Sequence, residues 1–204
     1  EEQHNPLIEN NELIRHRAAV GYNYTSTPKF WEPAKRMIKS RSPWLALFKD
    51  FNINPLPSLL GFRADVNRQF GAFRPRNVGG PKGGLPETYD KFFTFDRFYN
   101  LRWDLTRSFN IDFTAVNKSW VDEDSGRLDD NEKKSMRHNF WKGGGTISYN
   151  QHAEFSYNVP MSKIPALNWT TLRASYAADF DWIGASLIAR ELGNTLSNQQ
   201  RKTL

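Results

Sequence analysis

The stretch from Phe92 to Val121 constrains this chain more than any other, because its chemistry alternates with a period of two. From Phe93 the odd positions are Phe93, Phe95, Arg97, Tyr99, Leu101, Trp103 and Leu105. The even positions between them are Thr94, Asp96, Phe98, Asn100, Arg102, Asp104 and Thr106. Successive side chains of a strand point to opposite sides, so this segment has one aromatic side and one charged side. After Leu105-Thr106-Arg107-Ser108 the rhythm resumes, with Phe109, Ile111, Phe113 and Ala115 against Asn110, Asp112 and Thr114. Strands of about ten residues, aromatic on one side and polar on the other, are the signature of a membrane-spanning β-barrel.

Four further segments carry the same pattern: about Arg15 to Thr25, Ser58 to Phe73, Thr146 to Val159 and Thr170 to Trp182. Six strands with turn chemistry between them predict an antiparallel meander. The fold class expected is all-β, an antiparallel transmembrane β-barrel segment of about six strands with a short helical insertion. Thr106-Arg107 is a minimal connection, and Pro160 to Asn168 is short, with Pro160 and Pro165 stopping the strands. The other connections are long: the Gly/Pro stretch Arg74 to Asp90, the charged run Asp122 to His138, and Ile183 to Asn198. Long loops at one end and short turns at the other is the outer-membrane arrangement, the short turns facing the periplasm. Pro28 to Phe51 departs from it, since Phe30, Trp31, Ala34, Met37 and Ile38, then Trp44, Leu45, Leu47 and Phe48, space as two brief amphipathic helices. Residues 28–51 are therefore expected as a helical insertion on the periplasmic side of a wall that spans 1–204.

Composition agrees with a wall rather than a core. Only 38% of residues are hydrophobic, yet 14% are aromatic, which suits strands whose every second residue faces water. No apolar run reaches 18 residues, so a spanning element must be a strand of a closed barrel. The absence of cysteine removes disulfide scaffolds, thiolate metal sites and cysteine nucleophiles. The net charge of +6 comes from 28 Lys and Arg dispersed among 22 Asp and Glu; with no basic stripe, nucleic acid is not an expected partner. The chain opens on Glu1-Glu2-Gln3 and closes on Arg201-Lys202-Thr203-Leu204, which reads like the start of another strand, so a piece of something longer is expected.

Several motifs in order carry a family resemblance. They are Leu56-Pro-Ser-Leu-Leu-Gly-Phe-Arg-Ala-Asp-Val-Asn-Arg-Gln-Phe, Phe95-Asp-Arg-Phe-Tyr-Asn-Leu-Arg-Trp-Asp-Leu-Thr-Arg-Ser-Phe, Tyr157-Asn-Val-Pro-Met-Ser-Lys-Ile-Pro, Trp169 through Trp182, and Leu192-Gly193-Asn194-Thr195-Leu196-Ser197-Asn198. Together, from about Ile14 onward and including Trp31-Glu32-Pro33, the chain resembles the SprA/Sov family. These are the giant outer-membrane translocons of the type IX secretion system, associated with gliding motility. The resemblance implies a far larger barrel, of which this chain is one slice, that passes folded cargo proteins to the cell surface. It also implies partners at the side opening, the plug and the periplasmic end, a location in the bacterial outer membrane, and no cofactor.

The chemical candidates are weak. His4, His16, His138 and His152 have no second ligand at metal spacing. Asp122-Glu123-Asp124-Ser125-Gly126 with Asp129-Asp130 lacks the twelfth-position glutamate of a calcium loop, where Lys133 stands, and reads as a solvated extracellular loop. Gly143-Gly144-Gly145 opens no helix after a parallel strand, so it is no phosphate cradle. Asp96 and Asp104 lie roughly 26 Å apart on an extended strand, too far for paired catalysis. No catalytic, cofactor-binding or metal-binding residue is expected, and the chain is not read as an enzyme.

The residues expected to face a hydrated lumen are Arg63, Asp65, Asn67, Asp96, Arg102, Asp104, Arg173, Asp179 and Asp181. Those expected against lipid are Leu60, Phe62, Phe93, Phe95, Tyr99, Leu101, Trp103, Phe155, Tyr157, Leu172, Tyr176 and Phe180. Arg97 fits poorly on the apolar side, where a midplane arginine costs about 2–4 kcal/mol; snorkelling, a bulge or covering protein would each accommodate it. Two other readings stay open. One is a smaller porin or TonB-dependent receptor, the other a soluble secreted β-sandwich that binds carbohydrate on its aromatic rings.

Overall fold

The computed structural model describes residues 8–37, 50–77, 79, 84–164, 166–185, 191 and 193–204. The elements are β1 (Ile8–Thr25), α1 (Pro33–Met37), β2 (Leu59–Pro75), β3 (Thr88–Asp104), β4 (Phe109–Trp120), α2 (Asp130–Trp141), β5 (Gly145–Val159), a 3₁₀ turn (Met161–Lys163), β6 (Leu172–Ile183) and β7 (Thr195–Thr203). The strands make one seven-stranded sheet in the order β1 to β7, each beside its neighbour in sequence. β5 and β6 pair antiparallel from Val159 opposite Leu172 to Ser148 opposite Ile183. β6 and β7 pair from Ile183 opposite Thr195 to Ser175 opposite Thr203. β1 and β7 stand at the ends of the strand order and do not pair with each other, so the sheet is not closed.

The meander is the one the alternation predicts, with three corrections. There are seven strands rather than six, because Thr195–Thr203, expected partly as loop, is β7. Its sequence TLSNQQRKT is polar on both sides and all nine residues are exposed, so no alternation marks it. β1 begins at Ile8 instead of Arg15, through the equally polar ENNEL run. The charged run read as a solvated loop contains α2. The Asp129 side chain accepts from the Asn131 and Glu132 amides, and the Glu132 carboxylate accepts from the Asp129 amide. That reciprocal pair satisfies amides that a helix start leaves open. Of the helical insertion, Pro33–Met37 forms α1; its second expected pattern, Trp44 to Phe48, lies outside the described residues.

The chain gathers into two compact units, one from Glu1–Val20, Ala64–Arg97 and Lys118–Ile147, the other from Gly21–Arg63, Phe98–Asn117 and Ser148–Leu204. The first contains the long β2–β3 and β4–β5 connections, the second the short turns and α1. In the second, the Thr106 amide donates to the Phe109 carbonyl at 3.1 Å and the Phe109 amide to the Thr106 carbonyl at 3.4 Å. Arg107 and Ser108 are thus a two-residue hairpin loop, which fixes the β3–β4 register.

Neither unit has a substantial core. Among the described residues the buried hydrophobics are Ala72, Phe93, Ala115 and Val121. The chain exposes 15117 Å², about half as much again as the roughly 9,800 Å² of a folded soluble monomer of this mass.

Candidate functional site: two opposed sheet faces

Side-chain contacts divide each unit into the two faces that alternation predicts. On the aromatic face of the second unit, rings meet from strand to strand. Phe62 lies 5.4 Å from Tyr99, Phe109 6.5 Å from Phe155 and 6.1 Å from Tyr157, Phe155 6.2 Å from Tyr176, and Tyr149 6.1 Å from Phe180, centre to centre. Such cross-strand ring pairs stabilise a sheet by about 0.2–1 kcal/mol each. Among the described residues no second sheet lies on them. Leu60, Phe62, Tyr99, Tyr157 and Leu172 are all more than a third exposed. Of the residues assigned to this side, Leu60, Phe62, Tyr99, Leu101, Trp103, Phe155, Tyr157, Leu172, Tyr176 and Phe180 belong to the second unit. Trp103 is partly covered, its indole N–H donating to the Asn54 carbonyl at 3.0 Å.

The opposite face of that unit is a ladder of polar pairs. Asn150 donates to Asp181 at 2.6 Å, His152 Nδ1 meets Asp179 at 2.5 Å, and Arg173 donates to the Ser156 hydroxyl at 3.1 Å. The Ser58 hydroxyl donates to Asp104 at 2.5 Å. Arg102 faces Asp112 at 3.9 Å, and the Arg63 guanidinium lies 5.8 Å from the Phe98 ring centre. His152 is therefore less isolated than its sequence neighbours suggest, since the β5–β6 register brings a carboxylate from 27 positions away. Two groups do not make a metal centre, and among the described residues no cluster of three or more His, Asp or Glu could hold an ion.

In the first unit the polar face holds Asp65, Asn67 and Asp96, with Gln69 accepting from Arg15 at 2.8 Å and donating to Asp90 at 2.7 Å. Its aromatic face is roofed by protein. Phe140 of α2 lies 5.6 Å from Phe93 and 5.0 Å from Phe95, which buries Phe93 to 7% exposure. Phe93 and Phe95 thus face α2, unlike the ring pairs of the second unit. Alternation within β3 could not show this, because the covering ring lies 45 residues or more along the chain. Arg97, the misfit of the alternation, is accommodated the same way: it donates to the Ser119 hydroxyl at 2.7 Å and the Gly143 carbonyl at 3.1 Å.

The acidic run expected as a solvated loop supplies several ties. Glu123 pairs with Arg68, the Asp124 carbonyl accepts from Lys91, Asp129 caps α2 and Asp130 meets Lys133. Arg127 bridges two elements, reaching Glu12 of β1 at 2.9 Å and Glu87 at 3.2 Å. Glu87 also accepts from the Tyr89 hydroxyl at 2.6 Å and from Asn10 at 2.8 Å. These donors, Arg127 first, hold its carboxyl down at about 2. No protein-family model and no curated protein matches the chain.

Proposed function

We propose that this chain is a wall segment of a bacterial outer-membrane, protein-conducting β-barrel. The observation that carries the reading is a single-layer antiparallel meander with exposed rings on one face and paired polar groups on the other. In water such a sheet would need a second layer over its rings. In a bilayer, hydrocarbon takes that place, and the polar face lines a hydrated lumen. The unpaired edges of β1 and β7 then call for further strands, since open edges do not occur in lipid.

The resemblance to SprA/Sov narrows this to the translocon of the type IX secretion system, passing folded cargo with its side-opening, plug and periplasmic partners. The polar face suits that task. Its polar groups are partnered laterally, Arg102 with Asp112 and His152 with Asp179, so a folded client meets few unpartnered polar groups and few apolar ones. Transit is passive on this reading, and energy comes from the partners.

The chain has no cysteine; single cysteines at Tyr99, Asn100, Leu101 and Arg102, placed in a full protein whose other cysteines have been replaced, report independently. A water-soluble maleimide should label positions 100 and 102 in intact outer membranes and spare 99 and 101. Equal labelling of all four defeats the wall reading. Depleting the protein should strand folded cargo in the periplasm; unimpaired secretion defeats the narrower assignment.

A further inference from the structure

The first unit contains a cavity of about 400 Å³ on the aromatic face, between α2 and strands β1 and β2. Four cations line it: Arg68, Arg127, Lys133 and Arg137, against a single acid, Glu12. The rest of the lining is apolar, chiefly Ile14, Phe70 and Met136. Three of the cations have carboxylate partners, Arg68 with Glu123, Arg127 with Glu12 and Glu87, and Lys133 with Asp130. Arg137 has no ion-pair partner among the described residues and is an exposed residue of the cavity lining. The cavity lining therefore combines cations with apolar side chains.

We propose that this cavity binds the phosphate headgroup of a membrane glycolipid, with the start of an acyl chain lying on Ile14, Phe70 and Met136. Guanidinium groups match phosphate oxygens with paired donors, and Arg127, paired with Glu12 and Glu87 and 5.7 Å from the Phe70 ring centre, is positioned before the ligand arrives. An acyl chain needs the apolar wall, which a free anion would leave unused. The proposal rests on the wall reading above: the end with the long loops meets the outer leaflet, whose phosphorylated glycolipids have this chemistry.

The intact protein, purified in mild detergent, is examined by native mass spectrometry with a phosphorylated lipid A-type glycolipid, its dephosphorylated form and inorganic phosphate as probes. The phosphorylated lipid should bind, and the dephosphorylated form should bind at least about tenfold more weakly. Replacing both Lys133 and Arg137 by alanine should weaken the phosphorylated lipid by a similar factor. Lys134→Ala, on the same helix but outside the cavity, should not. Both lining residues are exposed on α2, so the variant is expected to fold, and an unchanged melting temperature checks that. Equal binding of the two lipids, or indifference to the double substitution, overturns the site. Competition by inorganic phosphate at concentrations equal to the lipid overturns the lipid assignment. Membrane residence without phosphate-dependent binding removes this site alone, whereas partition of the protein into water removes the wall reading as well.

Discussion

Arg97 and Gly143 are fitted to each other: the guanidinium donates to the Gly143 carbonyl at 3.1 Å, and a Cβ on Gly143 would stand 2.9 Å from Nη1. The glycine has φ +92°, the left-handed region that suits a residue without Cβ. An arginine on the apolar face is thereby partly covered and given polar partners, leaving it half-buried. Its guanidinium lies 5.0 Å from the Phe95 ring centre, beneath the segment that follows α2.

Two neighbouring glycines should differ when replaced by alanine. A Cβ on Gly143 meets the end of a flexible side chain, which can move aside. A Cβ on Gly144, at φ +68°, would stand 2.6 Å from the Trp120 carbonyl oxygen, which cannot. Both substitutions carry about 1–2 kcal/mol of left-handed strain. Gly144→Ala adds displacement of β4 and should lower the melting temperature of the intact protein well beyond Gly143→Ala. Equal shifts would show that the Trp120 contact relaxes freely.

The Glu87 carboxyl, held at about 2 against an ordinary 4.5, makes the loop ties of the first unit acid-resistant. A depressed carboxyl contributes stability that is fully present above its unfolded value. That contribution is lost as pH falls through the folded value. Protection of residues 121–129 against hydrogen exchange, taken relative to the intrinsic rate at each pH, should therefore persist down to about pH 4.5 and fall progressively toward pH 2. Glu87→Gln removes the anion facing Arg127 and should leave exchange faster at neutral pH, with the acid-dependent change diminished.

Legibility followed the source of each element's stability. β3 and β4 show their faces in sequence because each residue's partner is chemical: rings on one side, polar groups on the other. β7 has no such contrast; Ser197, Gln199 and Arg201 are as polar as Leu196's neighbours Asn198 and Gln200, and only pairing with β6 makes them a strand. α2 was hidden in a charged run, although Asp129 and Glu132 at capping-box spacing, with Met136 and Phe140 one turn apart, are the local signals for it. The roof over Phe93 and the tie between Arg127 and Glu12 join residues 47 and 115 positions apart. No window of sequence contains both partners, so those parts of the site could not be read.

The segment before β2 is fastened to the β3–β4 turn by a backbone hydrogen bond, Asn54 amide to Leu105 carbonyl at 2.8 Å, and by one buried side chain. The buried Asn52 carboxamide oxygen accepts from the Arg107 amide at 2.8 Å. Asn52→Ala leaves that amide without its acceptor and should cost about 1–3 kcal/mol. Asn52→Asp restores an acceptor oxygen and should recover much of the loss. Exchange of the Arg107 amide, slow in the parent and in the aspartate variant but fast in the alanine variant, distinguishes the lost hydrogen bond from general destabilisation.

Leu101 and Arg102 are adjacent and on opposite faces of β3, so exchanging their chemistry tests which solvent each face meets. Leu101 stands between Tyr99 and Trp103 on the ring-bearing side, and Arg102 faces Asp112 on the other. If hydrocarbon lies against the rings, Leu101→Arg places a charge where no water reaches it, at about 2–4 kcal/mol near the bilayer midplane. The same substitution on a partly exposed strand in water changes stability by about 0.5 kcal/mol or less. Arg102→Leu should be mild in either case, since it removes only a loose pair at 3.9 Å. Urea titration of the full protein refolded into lipid vesicles should show the first substitution costing several times the second. Near-equal costs would place both residues in water and leave the aromatic face in need of some other cover.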